Sequence, residues 1–121
     1  MKDLEEYAKK NKIPIMQKDG ILYLINYIKE NNIENILEIG SAIGYSSIMM
    51  ASINKNIKVT TIEKDTARYL EAVSNIQKYN LNKQIKIINK DATEVEINDK
   101  FDLIFIDASK ECVKVTNNNK L

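Results

Sequence analysis

Apolar residues at Ile21, Leu24, Ile25 and Ile28 fall at i, i+3, i+4 and i+7, which predicts a helix with one apolar face from about Asp19 to Asn31. Upstream, Leu4 to Lys10 reads as a short polar helix. Pro14, in Ile13-Pro14-Ile15-Met16, breaks the pattern because proline does not fit a helix interior. The period then changes. Asn35 to Ile39 is a short apolar run closed by Gly40, the length and punctuation of a buried strand. Tyr45, Ile48, Met49 and Ile53 return to helical spacing, and Lys58 to Ile62 is a β-branched strand ending at Glu63. Asp65 is placed to cap a helix whose apolar side is Leu70, Val73, Ile76 and Tyr79. Ile85 to Ile88 and Phe101 to Ile106 read as two more strands, ending near Asp91 and at Asp107. Ala92 to Lys100 reads as a loop, and Glu111 to Leu121 as a frayed polar tail.

Strands that alternate with helices and stay apolar throughout predict a parallel sheet covered on both faces, an α/β fold in a single domain over residues 1–121. Composition narrows the chemistry. With 44% hydrophobic and 29% charged residues the chain has a globular balance, and it holds no apolar run of membrane-spanning length. Its start, MKDLEEYAKKNK, is too polar for a signal peptide, so a cytoplasmic location with no membrane partner is the expectation. The lone Cys112 allows no internal disulfide. The absence of histidine excludes histidine-based general base catalysis and histidine-ligated zinc. A net charge of +1, with Arg68 the sole arginine, gives little support by itself for a nucleic-acid partner.

Each strand finishes at or near an acid: Glu38, Glu63, Asp91 and Asp107. Ligands of open parallel sheets bind outside these carboxyl ends, so four acids gathered beside the glycine turn Gly40-Ser41-Ala42-Ile43-Gly44 suggest a site. Taken singly, each acid could equally be a helix cap or a solvated loop residue, and the turn a tight connection without a ligand. The turn has Ala42 where a dinucleotide fingerprint needs its middle glycine, and no lysine follows Gly44 as a triphosphate loop requires. The helix start at Tyr45-Ser46 suits a carboxylate, and Glu63 has the reach to accept hydrogen bonds from two ribose hydroxyls. S-adenosylmethionine, with its ribose, adenine, amino-acid end and sulfonium, fits that inventory.

The segments ILEIGSAIGYSSIMMA, VTTIEKDTARYLEAVSNI, IKIINKDATEV and FDLIFIDASK, in this order between about Tyr7 and Lys110, resemble the class I S-adenosylmethionine-dependent O-methyltransferases of the catechol and caffeoyl-CoA type. The NKIPIM segment is similar to bacterial members, among them those that methylate tRNA 5-hydroxyuridine. The resemblance implies a Rossmann-like, doubly wound parallel sheet, of which this chain holds about four strands. It implies that Glu38, Gly40, Ser41, Gly44, Tyr45 and Ser46 line the methionine portion of the cofactor. Glu63 would bind the ribose, Asp91 and Ala92 the adenine, and Met16 would lie over the sulfonium as part of a lid. Asp107 would stand at the cofactor and ligate a divalent cation, usually magnesium, and Lys110 would act as base toward the acceptor hydroxyl. The implied acceptors are a tRNA wobble uridine or a small catechol-like molecule.

The pattern also departs from that family. Its members continue into a helix, a fifth strand ending in an Asp-Asn pair that completes the metal site, and further strands. CVKVTNNNKL supplies neither strand nor ligands. One carboxylate is a poor magnesium site, since magnesium takes octahedral oxygen coordination. The expectation is a cofactor-binding half cut short, with weak or no turnover alone, an incomplete magnesium site, and a fourth strand whose open edge invites a homodimer or another association. A non-catalytic cofactor-binding fragment is the second reading, and an NAD- or nucleotide-binding module, disfavoured by Ala42, the third.

Overall fold

The computed structural model describes residues 2–107 and 113–116, with Phe105, Asp107 and residues 113–116 described by backbone alone. Helices α1 (Lys2–Lys10) and α2 (Lys18–Glu30) lead into β1 (Asn35–Ile39), α3 (Tyr45–Ala51), β2 (Lys58–Ile62), α4 (Thr66–Lys78) and β3 (Ile85–Ile88). A 3₁₀ turn at Ala92–Glu94 precedes β4 (Leu103–Asp107) and β5 (Val113–Thr116). The strand order is β3-β2-β1-β4-β5, parallel from β3 to β4 and antiparallel between β4 and β5. The expected α/β parallel sheet is therefore present.

Alternation along the strands divides the core in two. Ile36, Val59, Ile85 and Leu103 point to the face that carries all four helices, where they meet Leu4, Ile21, Leu24, Ile28, Ile48 and Ile76. The β1–α3–β2 and β2–α4–β3 crossovers run in one direction across the sheet, and a shared hand of crossover puts both helices on the same side. Leu37, Ile62 and Ile104 point to the opposite face, packed by Ile88, Val95, Ile97 and Phe101. That second cover comes from the β3–β4 connection, the segment read as a loop. Helix α3 is buried nearly all round, between sheet and neighbouring helices. No helix among the described residues is long and apolar enough to cross a membrane.

Two expectations need correction. Leu70, assigned to the apolar side of α4, is 59% exposed, whereas Ala72 and Ile76 are buried. The helix is turned so that its small Ala72 meets the glycine turn, and a leucine cannot occupy that close approach. The second correction concerns β4. Its outer edge is paired by β5, with Ile104 opposite Thr116 and Ile106 opposite Lys114, where a frayed tail and an open edge were expected. VKVT has a strand former at three of its four positions, and pairing satisfies the backbone groups that β4 would otherwise present.

The orientation of α4 has a measurable consequence. Ile76→Ala, which empties a core position, is expected to cost about 2–5 kcal/mol of unfolding free energy. Leu70→Lys is expected to stay within about 0.5 kcal/mol of the parent. Urea titrations of the two variants check both values, and equal losses would contradict the observed rotation of the helix.

Candidate functional site

Strand β1 lies between β2 and β4, so the chain reverses direction across the sheet at β1, and a crevice opens there beyond the carboxyl ends of the strands. Register brings those ends level: Ile39 pairs with Ile62 and with Ile106, and Ile62 with Ile88. The five-residue glycine turn leaves β1 at this level. Three of its residues are left-handed, Gly40 at φ +93°, Ala42 at +48° and Gly44 at +88°. Glycine is required at position 44 by its backbone angle. An L side chain is strained at that φ, and a Cβ there would stand 3.4 Å from the Cβ of Ala72 in α4.

Hydrogen bonds hold the turn from several sides. Gly40 N donates to Ile62 O at 2.8 Å and Gly44 N to Ser41 O at 2.8 Å. The Glu63 carboxylate accepts from Ala42 N at 2.8 Å through Oε1 and from Asp65 N at 3.0 Å through Oε2. Asn75 Nδ2 donates to Ile43 O at 2.9 Å. Ser41, 2% exposed, is different: its hydroxyl is buried with no hydrogen-bond partner among the described residues.

Beneath the turn, Glu38 is fully buried and accepts hydrogen bonds from the hydroxyls of Ser46 and Ser47, and from Thr61 Oγ1 at 2.7 Å. Glu38 and Thr61 are direct cross-strand partners, while both serines come from the first turn of α3. Of the residues expected to line the methionine end, Glu38 and Ser46 are thus bonded to each other.

Six of the remaining expected residues divide between two concavities, and Ser41 and Gly44 line neither. Gly40, Glu63, Asp91 and Ala92 line one cleft of about 200 Å³, together with Ile39, Lys64 and Lys90. Asp91 Oδ1 accepts from Thr93 N at 2.9 Å and Thr93 Oγ1 at 2.8 Å. Those bonds, the backbone one foremost, hold its carboxyl below the usual aspartate range. Met16 and Tyr45 line a second concavity, about 360 Å³, between α1 and the Ile13–Lys18 segment. The Asp107 side chain and the whole of Lys110 lie outside the described residues. Among the described residues, no three His, Cys, Asp or Glu side chains group closely enough to hold a metal ion.

Helix α1 lines the second concavity and is docked through tyrosine–carboxylate hydrogen bonds. Tyr45 Oη donates to Glu5 at 2.6 Å, and Tyr7 Oη to Glu71 at 2.6 Å. Asp3 accepts from Tyr79 Oη and from Lys78 at 2.5 Å. Burial, and then the Glu5 carboxylate, raises the Tyr45 phenol well above its ordinary value. Asp3 pushes Tyr79 up to about 12, and Glu71 raises Tyr7. Conversely, Lys78 and then Tyr79 hold Asp3 low, and the Tyr7 hydroxyl leads the lowering of Glu71.

Sequence reasoning missed Thr61, Ser47 and Asn75. Thr61 carries a weak signal, a hydroxyl two positions before Glu63 in an otherwise buried strand. Ser47 and Asn75 carry none, because their partners lie 9 and 32 residues away along the chain.

Comparison with known proteins follows the same lines. The O-methyltransferase family description matches residues 1–119. A catechol O-methyltransferase of Niastella koreensis is 38% identical over 64% of this chain and 38% of its own length. A candidate caffeoyl-CoA O-methyltransferase of Staphylococcus aureus superposes at TM-score 0.86 with 42% identity, covering 91% of this chain and 54% of that one. An O-methyltransferase of Bacillus cereus in complex with SAH superposes at 0.74 with 31% identity, covering 87% and 51%. The chain spans about half the length of these solved structures and less of the curated relative.

Two outcomes are expected from this geometry. Gly44→Ala should lower the unfolding free energy by about 1–2 kcal/mol, the cost of a left-handed L residue, as measured in denaturant. The docking of α1 should also set a pH window. Asp3 and Glu71 have folded pKa values below their ordinary 3.8 and 4.5, so their contribution is present above that range and lost as pH falls through the folded values. Tyr7, Tyr45 and Tyr79 have folded values above the ordinary 10.0, so theirs is present below pH 10 and lost as pH rises beyond it. Thermal melts across pH should show a plateau between these limits, and Tyr79→Phe should reduce the alkaline fall.

Proposed function

The chain belongs to the O-methyltransferase family, and on that footing we propose that residues 1–121 form the S-adenosylmethionine-binding part of an enzyme that methylates a hydroxyl. The acceptor is a ring hydroxyl, either on a small catechol-like molecule or on a tRNA wobble 5-hydroxyuridine. The observation that carries the reading is the unpartnered, buried Ser41 hydroxyl in a left-handed glycine turn, beside a cleft where Glu63, Asp91 and Ala92 meet. A buried hydroxyl without a partner is costly, and a ligand's polar group satisfies it. The complex of the Bacillus cereus relative with SAH supports the same ligand class.

S-adenosylmethionine supplies a methyl group on a sulfonium, displaced in line by the acceptor oxygen. Glu63 accepts from the ribose hydroxyls while its backbone bonds keep it fixed, and the Asp91–Ala92 segment flanks the adenine. Gly40, Ser41, Gly44 and Tyr45 border the methionine end, and Glu38 holds the Ser46 side chain beneath it. Met16, which lines the separate concavity, is the candidate lid residue over the reacting end. By the family likeness Lys110 would take the acceptor's proton, with Asp107 the second expected residue of that step. Among the described residues no group of His, Cys, Asp or Glu forms a site for a magnesium ion.

The dinucleotide reading is weaker on physical grounds. The Ala42 N–H is already given to Glu63 and its Cβ occupies the position of the middle glycine, so the turn offers less backbone to a pyrophosphate.

Calorimetry tests the proposal. S-adenosylhomocysteine should bind with a dissociation constant of about 1–100 μM, near 5.5–8 kcal/mol, and NAD should not bind in that range. Ser41→Ala should weaken the first about five- to tenfold while leaving the melting temperature unchanged or slightly higher, since it removes an unsatisfied group. Tighter binding of NAD than of S-adenosylhomocysteine would defeat the proposal.

A further inference from the structure

The side of the glycine turn facing α4 holds a contact that neither the family likeness nor the cleft residues account for. Ala72 and Asn75 are three apart on α4 and therefore share a face. Ala72 lets the helix come within 3.4–3.6 Å of the position a Gly44 Cβ would take. At that distance Asn75 reaches the turn, and its Nδ2 donates to Ile43 O at 2.9 Å. The same peptide unit donates at its other end, from Gly44 N to Ser41 O at 2.8 Å. The Ile43–Gly44 peptide plane is thus held at both ends.

The neighbouring Ser41–Ala42 peptide is held in the same manner, by Gly44 N at its carbonyl and by Glu63 at its N–H. Two side chains from separate elements, Glu63 after β2 and Asn75 in α4, therefore brace a segment with three left-handed residues. The glycines adopt that backbone readily, whereas left-handed Ala42 persists only where its surroundings over-determine it. Ser41 is joined to both braced peptides, by its own carbonyl and by the Gly44 N–H that this carbonyl accepts, so the direction of its hydroxyl depends on both.

From this geometry we infer that Asn75 is a positioning residue: through Ile43 O it sets the glycine turn, and so the ligand-facing Ser41, without touching the ligand. The inference deepens the proposed cofactor site and rests on that reading for its binding measurement, although not for its test on the turn itself.

The experiment compares the parent chain with Asn75→Ala, Asn75→Asp and a control, Ile76→Val. Asn75→Asp keeps the shape and replaces the donor with an oxygen that repels Ile43 O. Ile76→Val removes one buried methylene-sized group from the same helix and none of the hydrogen bonds that hold the turn. Amide hydrogen exchange is read at Gly44, with Leu81, whose N–H is bonded to Ile76 O at 3.0 Å, as internal reference. Calorimetric affinity for S-adenosylhomocysteine is read alongside.

Loss of one neutral hydrogen bond corresponds to about a five- to tenfold change. The Gly44 amide should exchange faster by about that factor, relative to Leu81, in both Asn75 variants. Affinity should fall by a similar factor in both. Ile76→Val should leave both readouts within about twofold, even where its melting temperature falls as far. Unchanged Gly44 exchange in the Asn75 variants, or an equal loss of affinity in Ile76→Val, overturns the inference. If the parent fails to bind S-adenosylhomocysteine, the cofactor reading falls, and the Gly44 exchange alone decides the role of Asn75.

Discussion

A carboxylate buried to zero exposure organises the centre of this domain. Glu38 would be costly in an apolar interior, because an uncompensated charge loses the hydration it has in water. Hydroxyls from Ser46 and Ser47 on α3 and from Thr61 on β2 answer that cost, and in doing so they tie those two elements to the end of β1. The constraint is mutual. Two serines can sit in the first turn of a helix that is buried nearly all round only because an acceptor lies beneath them. The glycine turn spans the gap between Glu38 and that helix, so its length and path follow from this one buried cluster.

Above the cluster, the turn is held by neighbours rather than by its own preferences. Gly40 and Gly44 adopt left-handed backbone readily, while Ala42 does so only at a cost, offset here by the Glu63 carboxylate on its N–H. Helix α4 adds the Asn75 bond and the close approach at Ala72. Helix α1 reaches the far side through Tyr45, one residue beyond Gly44, whose hydroxyl is given to Glu5. The turn is therefore a hydrogen-bonded frame, and α1 is docked beside it through tyrosine–carboxylate pairs. Those pairs weaken at the acid and alkaline extremes.

Much of this frame was legible in the chain. The apolar runs at Asn35–Ile39 and Lys58–Ile62 matched β1 and β2 in type and bounds, and the Asp65 cap was found, with its carboxylate accepting from Arg68 N. The glycine turn, Glu63 and the Asp91–Ala92 pair were also located, and they share a crevice or border it. Leu70 misled because a helical period allows several faces when apolar residues occupy more than one of them, and the choice was made by the small Ala72 against Gly44. Val113–Thr116 misled for a related reason, since an antiparallel strand gains its stability from the edge it joins and short β-branched segments amid polar residues show little of that on their own.

The sequence by itself determined the alternation of strands and helices, the place of the glycine turn and the acids at the strand ends, because those depend on local periodicity and on single-residue backbone preference. Tertiary structure alone decided that Glu38 is shared among three hydroxyls, that Glu63 braces Ala42, and that Asn75 reaches Ile43 from another helix. Each of these is a contact between groups far apart along the chain. Hydrogen-bonding groups carry no mark of their partner in a sequence, and only folding brings a donor and an acceptor to the same 3 Å.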